Sequence, residues 1–150
     1  LENVVENSMK CINLLVSKSA DAKFLISFRA RARSVPTDIA VHGITYALTV
    51  LAARSNYKAI EVGLTASECA EVVEKVREVL KDADNEELSY GTYGAVVIFI
   101  MKSAGMIKSN NFEELIRETL KDPLLRLKAR TVFDWVKRFS EAYIPSGESR

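Results

Sequence analysis

The chain has 150 residues, 48% of them hydrophobic, with 21 Lys/Arg against 20 Asp/Glu for a net charge of +1. This length and apolar content suit one domain with a substantial core and exclude a disordered tail or linker. The near-zero net charge excludes a global field drawing the protein to nucleic acid or membrane, so any such attraction has to come from local segregation of charge.

Val4, Val5, Ile12, Leu15 and Val16, flanked by Met9 and Cys11, recur at three- and four-residue steps, which predicts a helix from about Glu2 to Ser19. Asp21 is a good N-cap for a second helix with the stripe Phe24, Leu25, Phe28, Ala32 and Val35. That helix carries FRARARSVP at residues 28–36. On a strand Arg29, Arg31 and Arg33 would share one face. On a helix, at about 100° per residue, Arg29 and Arg33 stay about 40° apart while Arg31 swings toward the apolar boundary. The stripe selects the helix. Pro36 is expected to end or redirect it, because the residue before proline is pushed out of the α region. A third helix then runs from Thr37 or Asp38 to Ser55, with Ile39, Ile44, Ala47, Leu48, Leu51 and Ala52 on its apolar face and Gly43 at a close packing contact. Residues 56–64 read as a loop.

Thr65-Ala66-Ser67-Glu68 has the form of a capping box for a helix reaching about Asp82. Cys69, Val72, Val73, Val76, Val79 and Leu80 form its apolar side, and Glu71, Glu74 and Glu78 make its outer face acidic. After a loop at Asp84 to Glu87, the stretch YGTYGAVVIFIMKSAGMI is apolar and β-rich enough for a buried strand. A buried helix is the better reading, since a lone strand would leave its backbone hydrogen bonds unpaired and Gly105 suits a helix stop. Asn110-Asn111-Phe112-Glu113 opens a short helix through about Leu120. Asp122-Pro123 combines a cap with a first-turn proline for a last helix to about Tyr143, with Leu124, Leu125, Val132, Trp135, Val136, Phe139 and Tyr143 facing inward. The fold class is all-α: a single-domain bundle of about six or seven helices over residues 1–144 with a long C-terminal helix, and a disordered tail at 145–150.

Charge is segregated along this plan. Residues 1–60 hold eight Lys/Arg against four Asp/Glu, residues 123–144 five against two, and residues 61–90 three against nine. One basic and one acidic side suit a polyanion or head-to-tail self-association; solvated helix faces are the plainer alternative. Cys11 and Cys69 form no CxxC pair, so neither a disulfide framework nor a zinc site is indicated and buried free thiols are expected. Glu2, Glu6 and Lys10 interrupt any signal-peptide core, and the longest apolar run, Ala95 to Met101, is too short for a bilayer, so the expected location is the cytoplasm.

No enzyme motif, cofactor site or metal site is found. His42 is the only histidine, with no neighbouring nucleophile, and reads as a packing or polar-contact residue. GTYG at 91–94 matches the GxxG of KH domains in form, but its inner residues are uncharged and the KH strands are missing; a turn and helix start is the plainer reading. The last helix carries a better polar signal. Arg126, Arg130 and Lys137 fall within about 40° of one another, with Arg138 beside them and Asp134 and Glu141 at the border. A phosphate-tracking strip would join this ridge to Arg29 and Arg33.

Two stretches, RARSVPTDIAVHGITYALTVLAARS and LKDPLLRLKARTVFDWVKRFSEAYI, resemble the small-subunit family of type III-B CRISPR effector complexes, the fifth protein of the Cmr set. The first block has Arg33 before Pro36, then Ile39, an HGI step at 42–44 and Arg54; the second runs from Ala129 through Trp135-Val136-Lys137-Arg138-Phe139-Ser140. His42 stands where the family's step has asparagine. The resemblance implies a non-catalytic cytoplasmic subunit, present in a few copies, stacked on itself and beside the backbone subunit. Its basic surface would line the channel where guide and target RNA pair. RNA phosphates would then meet Arg33, Lys137 and Arg138, which match the family motif by position, and Arg29, Arg31, Lys128 and Arg130, which rest on helical geometry or local charge, with no membrane partner. Two alternatives stay open: a helical protein-interaction adaptor without nucleic-acid binding, and a helix-turn-helix DNA binder, for which the Pro36 junction lacks the expected turn.

Overall fold

The computed structural model describes residues 1–19 and 21–147. Among them lie eight helices and no strand: α1 (Glu2–Lys18), α2 (Ala22–His42), α3 (Ile44–Ala53), α4 (Tyr57–Thr65), α5 (Cys69–Val79), α6 (Asn85–Ser103), α7 (Phe112–Lys121) and α8 (Leu125–Tyr143). The all-α class therefore stands, with more helices than the expected six or seven.

A helix that is apolar on every side needs neighbours on every side. Residues 91–101 of α6 are all buried, and α6 packs against α1, α2, α3, α4, α5 and α8. This settles AVVIFIM as a helix, and it corrects GTYG, which lies inside α6 rather than at a turn. The glycines there serve close approach. A Cβ on Gly94 would run into Ile60 Cδ1 and one on Gly91 into Leu80 Cδ1, both ends of flexible side chains. Gly63 on α4 differs, because its Cβ would overlap the Ala95 backbone carbonyl oxygen and come within 3.0 Å of the Phe99 nitrogen. Backbone cannot turn aside. Gly63→Ala is expected to cost about 1–3 kcal/mol and Gly94→Ala clearly less, measured as urea midpoints at constant slope; equal midpoints for the two would contradict this contact.

Several helix limits differ from expectation for identifiable reasons. α2 runs straight through Pro36, and the break falls instead at Gly43, with φ 88° and open space where a Cβ would be. An interior proline costs about 3 kcal/mol, yet Val35 and Ile39 on either side are both buried and extend the stripe from Phe24 to Ile39. Burial keeps the helix whole. Gly43 is thus a left-handed hinge, not a packing contact. Residues 57–65, expected as loop, form α4: Asn56 caps it by accepting the Lys58 N–H at 2.8 Å. Its residues Ala59, Ile60, Val62, Gly63 and Leu64 are buried in several directions, so they show no simple stripe.

The box at Thr65 is likewise displaced. Thr65 closes α4, and the Ser67 N–H donates to Glu71 Oε1 at 3.0 Å ahead of α5, which stops at Val79 rather than Asp82. The expected caps at Asp21 and Asn111 are found, whereas Asp84, expected in a loop, caps α6, and Asp122-Pro123, expected to open the last helix, stands before α8, which starts at Leu125 without a side-chain cap. Asp21 accepts from the N–H groups of Phe24 and Lys23, which hold its carboxyl below the usual range. Asp84 caps α6 through Glu87 and Asn111 caps α7 through Glu114. Asp122 accepts from the Leu124 N–H in a turn that precedes α8.

The face that α8 buries is Leu125, Ala129, Val132, Phe133, Val136 and Ser140. Leu124 and Tyr143 are exposed and Trp135 is half-buried, so the inward stripe is rotated from the one expected around Trp135. Cys11 and Cys69 are a second correction: they are joined in a disulfide, Cα atoms 5.2 Å apart, that ties α1 to α5. A separation of 58 residues carries no motif; helix packing makes the pair. Of the expected tail, Gly147 rests against Ile26, and residues 148–150 lie outside the described residues. Among the described residues no helix is long and apolar enough to cross a membrane.

Candidate nucleic-acid interface

The seven basic residues singled out by sequence do not form one strip. Arg33 on α2 and Arg138 on α8 do meet, because Glu141 pairs with both, 3.2 Å from Arg33 Nε and 2.9 Å from Arg138 Nη1. This contact closes α2 onto α8 at the surface, where such pairs contribute about 0–1 kcal/mol each. Its value is geometric: one half-buried carboxylate fixes two exposed guanidiniums side by side. Lys137 lies next to Arg138 and has no carboxylate within salt-bridge distance among the described residues. Arg126, exposed on the same ridge, is likewise without one.

The other members are tied or turned away. Arg130 pairs with Asp134 at 3.7 Å one helical turn on, and Lys128 with Asp122 at 3.3 Å. Arg126 and Arg130 flank a groove of about 480 Å³ between α2 and α8, with Ile39, Phe133 and Leu127 as its apolar part. Arg29 is half-buried, its Nε enclosed without a partner. Arg31 faces elsewhere, as the helical reading requires: its guanidinium lies 4.4 Å from the centre of the Tyr90 ring on α6.

Sequence reasoning missed Tyr90, whose approach to Arg31 depends on how α2 crosses α6. It noted Glu141 only as a border charge, and the bond to Arg33 has no signal within either helix. An aromatic ladder also runs along α8, Trp135 to Phe139 at 5.7 Å and Phe139 to Tyr143 at 6.1 Å. The i, i+4, i+8 spacing carries that signal, but the sequence reading used these residues only as part of the inward face. His42 packs on Tyr46 at 5.0 Å. Among the described residues no three or more His, Cys, Asp or Glu side chains are grouped as metal ligands.

No family model, curated protein or solved structure matches the chain.

Proposed function

We propose that this chain is the non-catalytic small subunit of a Cmr-type, type III-B CRISPR effector complex, stacking with copies of itself beside the backbone subunit and lining the channel for guide and target RNA. The observation that carries the reading is the Arg33–Glu141–Arg138 contact. It joins the two blocks that resemble the family, far apart in sequence, into one basic surface patch. Lys137 extends the patch, and the Trp135–Phe139–Tyr143 ladder runs along the same helix. Such a patch binds phosphates without reading bases. Affinity comes from repetition along a filament, since a near-neutral domain with few phosphate contacts binds RNA weakly on its own.

In the assembled complex, Lys137→Glu with Arg138→Glu is expected to weaken target RNA binding about tenfold, or about 1.4 kcal/mol. The slope of log affinity against log salt should flatten by about 1 to 2. An unchanged affinity and slope would remove these residues from the RNA path. The disulfide bears on the cytoplasmic location, because such bonds persist inside hyperthermophiles and in oxidising compartments. A cytoplasmic subunit carrying Cys11–Cys69 fits the first setting.

The protein-adaptor reading is favoured by a different observation. Leu120, Leu124 and Leu127, around the α7–α8 corner, are each more than half exposed. Single exposed leucines are ordinary, but a cluster marks a docking surface. Cross-linking in an RNA-bound assembly separates the two readings: links from Lys137 to nucleotides support the channel, and links to protein alone support the adaptor.

A further inference from the structure

Arg31 and Arg33 point about 160° apart on α2, and the side that Arg31 faces holds a second site. There α2, α3 and α6 enclose a hollow of about 250 Å³ whose walls include Asp38, His42, Tyr46, Arg54 and Tyr90. Two guanidiniums converge on a single ring: Arg31 Cζ is 4.4 Å and Arg54 Cζ 5.3 Å from the Tyr90 centroid. Each gains from the ring's π face, but two like charges on one ring repel.

Arg33, Arg117, Arg130 and Arg138 each have a carboxylate partner, whereas Arg29, Arg77 and Arg126 have none within salt-bridge distance among the described residues. Neither Arg31 nor Arg54 has a carboxylate within salt-bridge distance among the described residues. Arg31 Nε is enclosed and unpartnered as well. An enclosed donor without an acceptor is costly. The convergence of both cations on Tyr90 is what suits this site to an anion.

The opposite wall says what the anion is attached to. His42 and Tyr46 hold their rings 5.0 Å apart, and Tyr46 is 56% exposed at the mouth. An exposed tyrosine braced by a second ring is a stacking platform for a flat group. Asp38 supplies the hollow's carboxylate acceptor. Tyr93, one helical turn on from Tyr90 in α6, is fully buried and its hydroxyl has no partner among the described residues; burial, then the charge of Asp38, pushes its pKa up, so it stays protonated. The volume is below the roughly 300–1,000 Å³ of drug-sized pockets, which limits the occupant to one small unit.

We propose that this hollow binds one nucleotide of a single RNA strand, its phosphate on Arg54, with Arg31 at the Tyr90 ring adding positive charge, its base on Tyr46 and His42, and a sugar hydroxyl donating to Asp38. The ligand class rests on the RNA reading above; the cations and rings do not.

The test titrates the isolated full chain with adenosine 5′-monophosphate and, separately, with inorganic phosphate and adenosine, following the ring NMR signals of His42, Tyr46 and Tyr90. The nucleotide should shift all three rings saturably, at least tenfold more tightly than phosphate or adenosine alone. Arg54→Gln and Tyr46→Ala, both at exposed positions, should each weaken it at least tenfold with core methyl signals unchanged. Equal binding of inorganic phosphate would reduce the site to an anion hole and overturn the proposal, as would rings that do not move at millimolar nucleotide or an Arg54→Gln chain that binds normally. Absent nucleotide binding, with Lys137 and Arg138 still required by the complex, removes this site and leaves the channel reading standing. Nucleotide binding with those residues dispensable does the reverse.

Discussion

Phe28→Ala is expected to destabilise the chain by about 3–5 kcal/mol, a large share of the 5–15 kcal/mol typical of a domain. Phe28 is fully buried, with its ring 5.8 Å from Tyr93 in an edge-on contact and 6.5 Å from Phe24. It sits where α2 meets the central helix, so the cavity left by truncation opens between two helices held in register by other contacts. Such a site collapses poorly, and the cost follows the cavity volume that remains. Phe28→Leu keeps most of the volume and should cost about 1 kcal/mol. Urea unfolding followed by helical circular dichroism gives both numbers. Similar midpoints for the two variants would mean that the ring packs more loosely than its burial indicates. The residue also opens FRARARSVP, so the test separates the segment's two roles: Phe28 holds the fold, while of the arginines after it only Arg33 is exposed.

Loss of the Cys11–Cys69 bond should have the next largest effect. A cross-link closing 58 residues removes loop entropy from the unfolded chain worth about 4 kcal/mol in the entropic model, and measured bridges typically give about 2–4. Cys11→Ala with Cys69→Ala should therefore lower the melting temperature by about 3 °C per kcal/mol lost. Dithiothreitol should bring the unsubstituted chain down to nearly the same point while leaving the double variant unmoved. Access exists on one side only. Cys11 is fully enclosed, whereas Cys69 borders a groove of about 510 Å³ between α1 and α5 that includes Lys10 and Glu68. Identical melting of oxidised, reduced and substituted chains would show that α1 and α5 hold together without the bond.

What could be read from sequence depended on whether a single element carried the signal. α1 was legible by its spacing, and the apolar part of α6 because a lone strand in a helical chain would leave its backbone hydrogen bonds unpaired, although its first turn at Asn85 to Glu87 read as loop. The caps at Asp21 and Asn111 were legible because a side-chain acceptor stands beside its own N–H groups. Pro36 misled because local steric preference was outweighed by burial of Val35 and Ile39, which only the assembled helices supply. α4 was lost because a helix enclosed on several sides has no polar face to set its period. The site divides in the same way. The split of Arg31 from Arg33 follows from 3.6 residues per turn, but their partners, Tyr90 and Glu141, come from helices that sequence alone does not place. The disulfide is the extreme case, two cysteines with no spacing rule between them.

The enclosure of α6 also governs how such a protein can diverge. Residues 91–101 have no solvent side, so almost any polar replacement there would bury an unpaired group. The outer face of α5, with Glu74, Lys75 and Glu78 in solvent, carries no such restriction. Drift will therefore concentrate on the outer helices while the small-and-large pattern of Gly91, Gly94, Gly63 and their neighbours holds still. A chain under that rule can lose recognisable sequence kinship over most of its length and still build the same bundle around one retained helix.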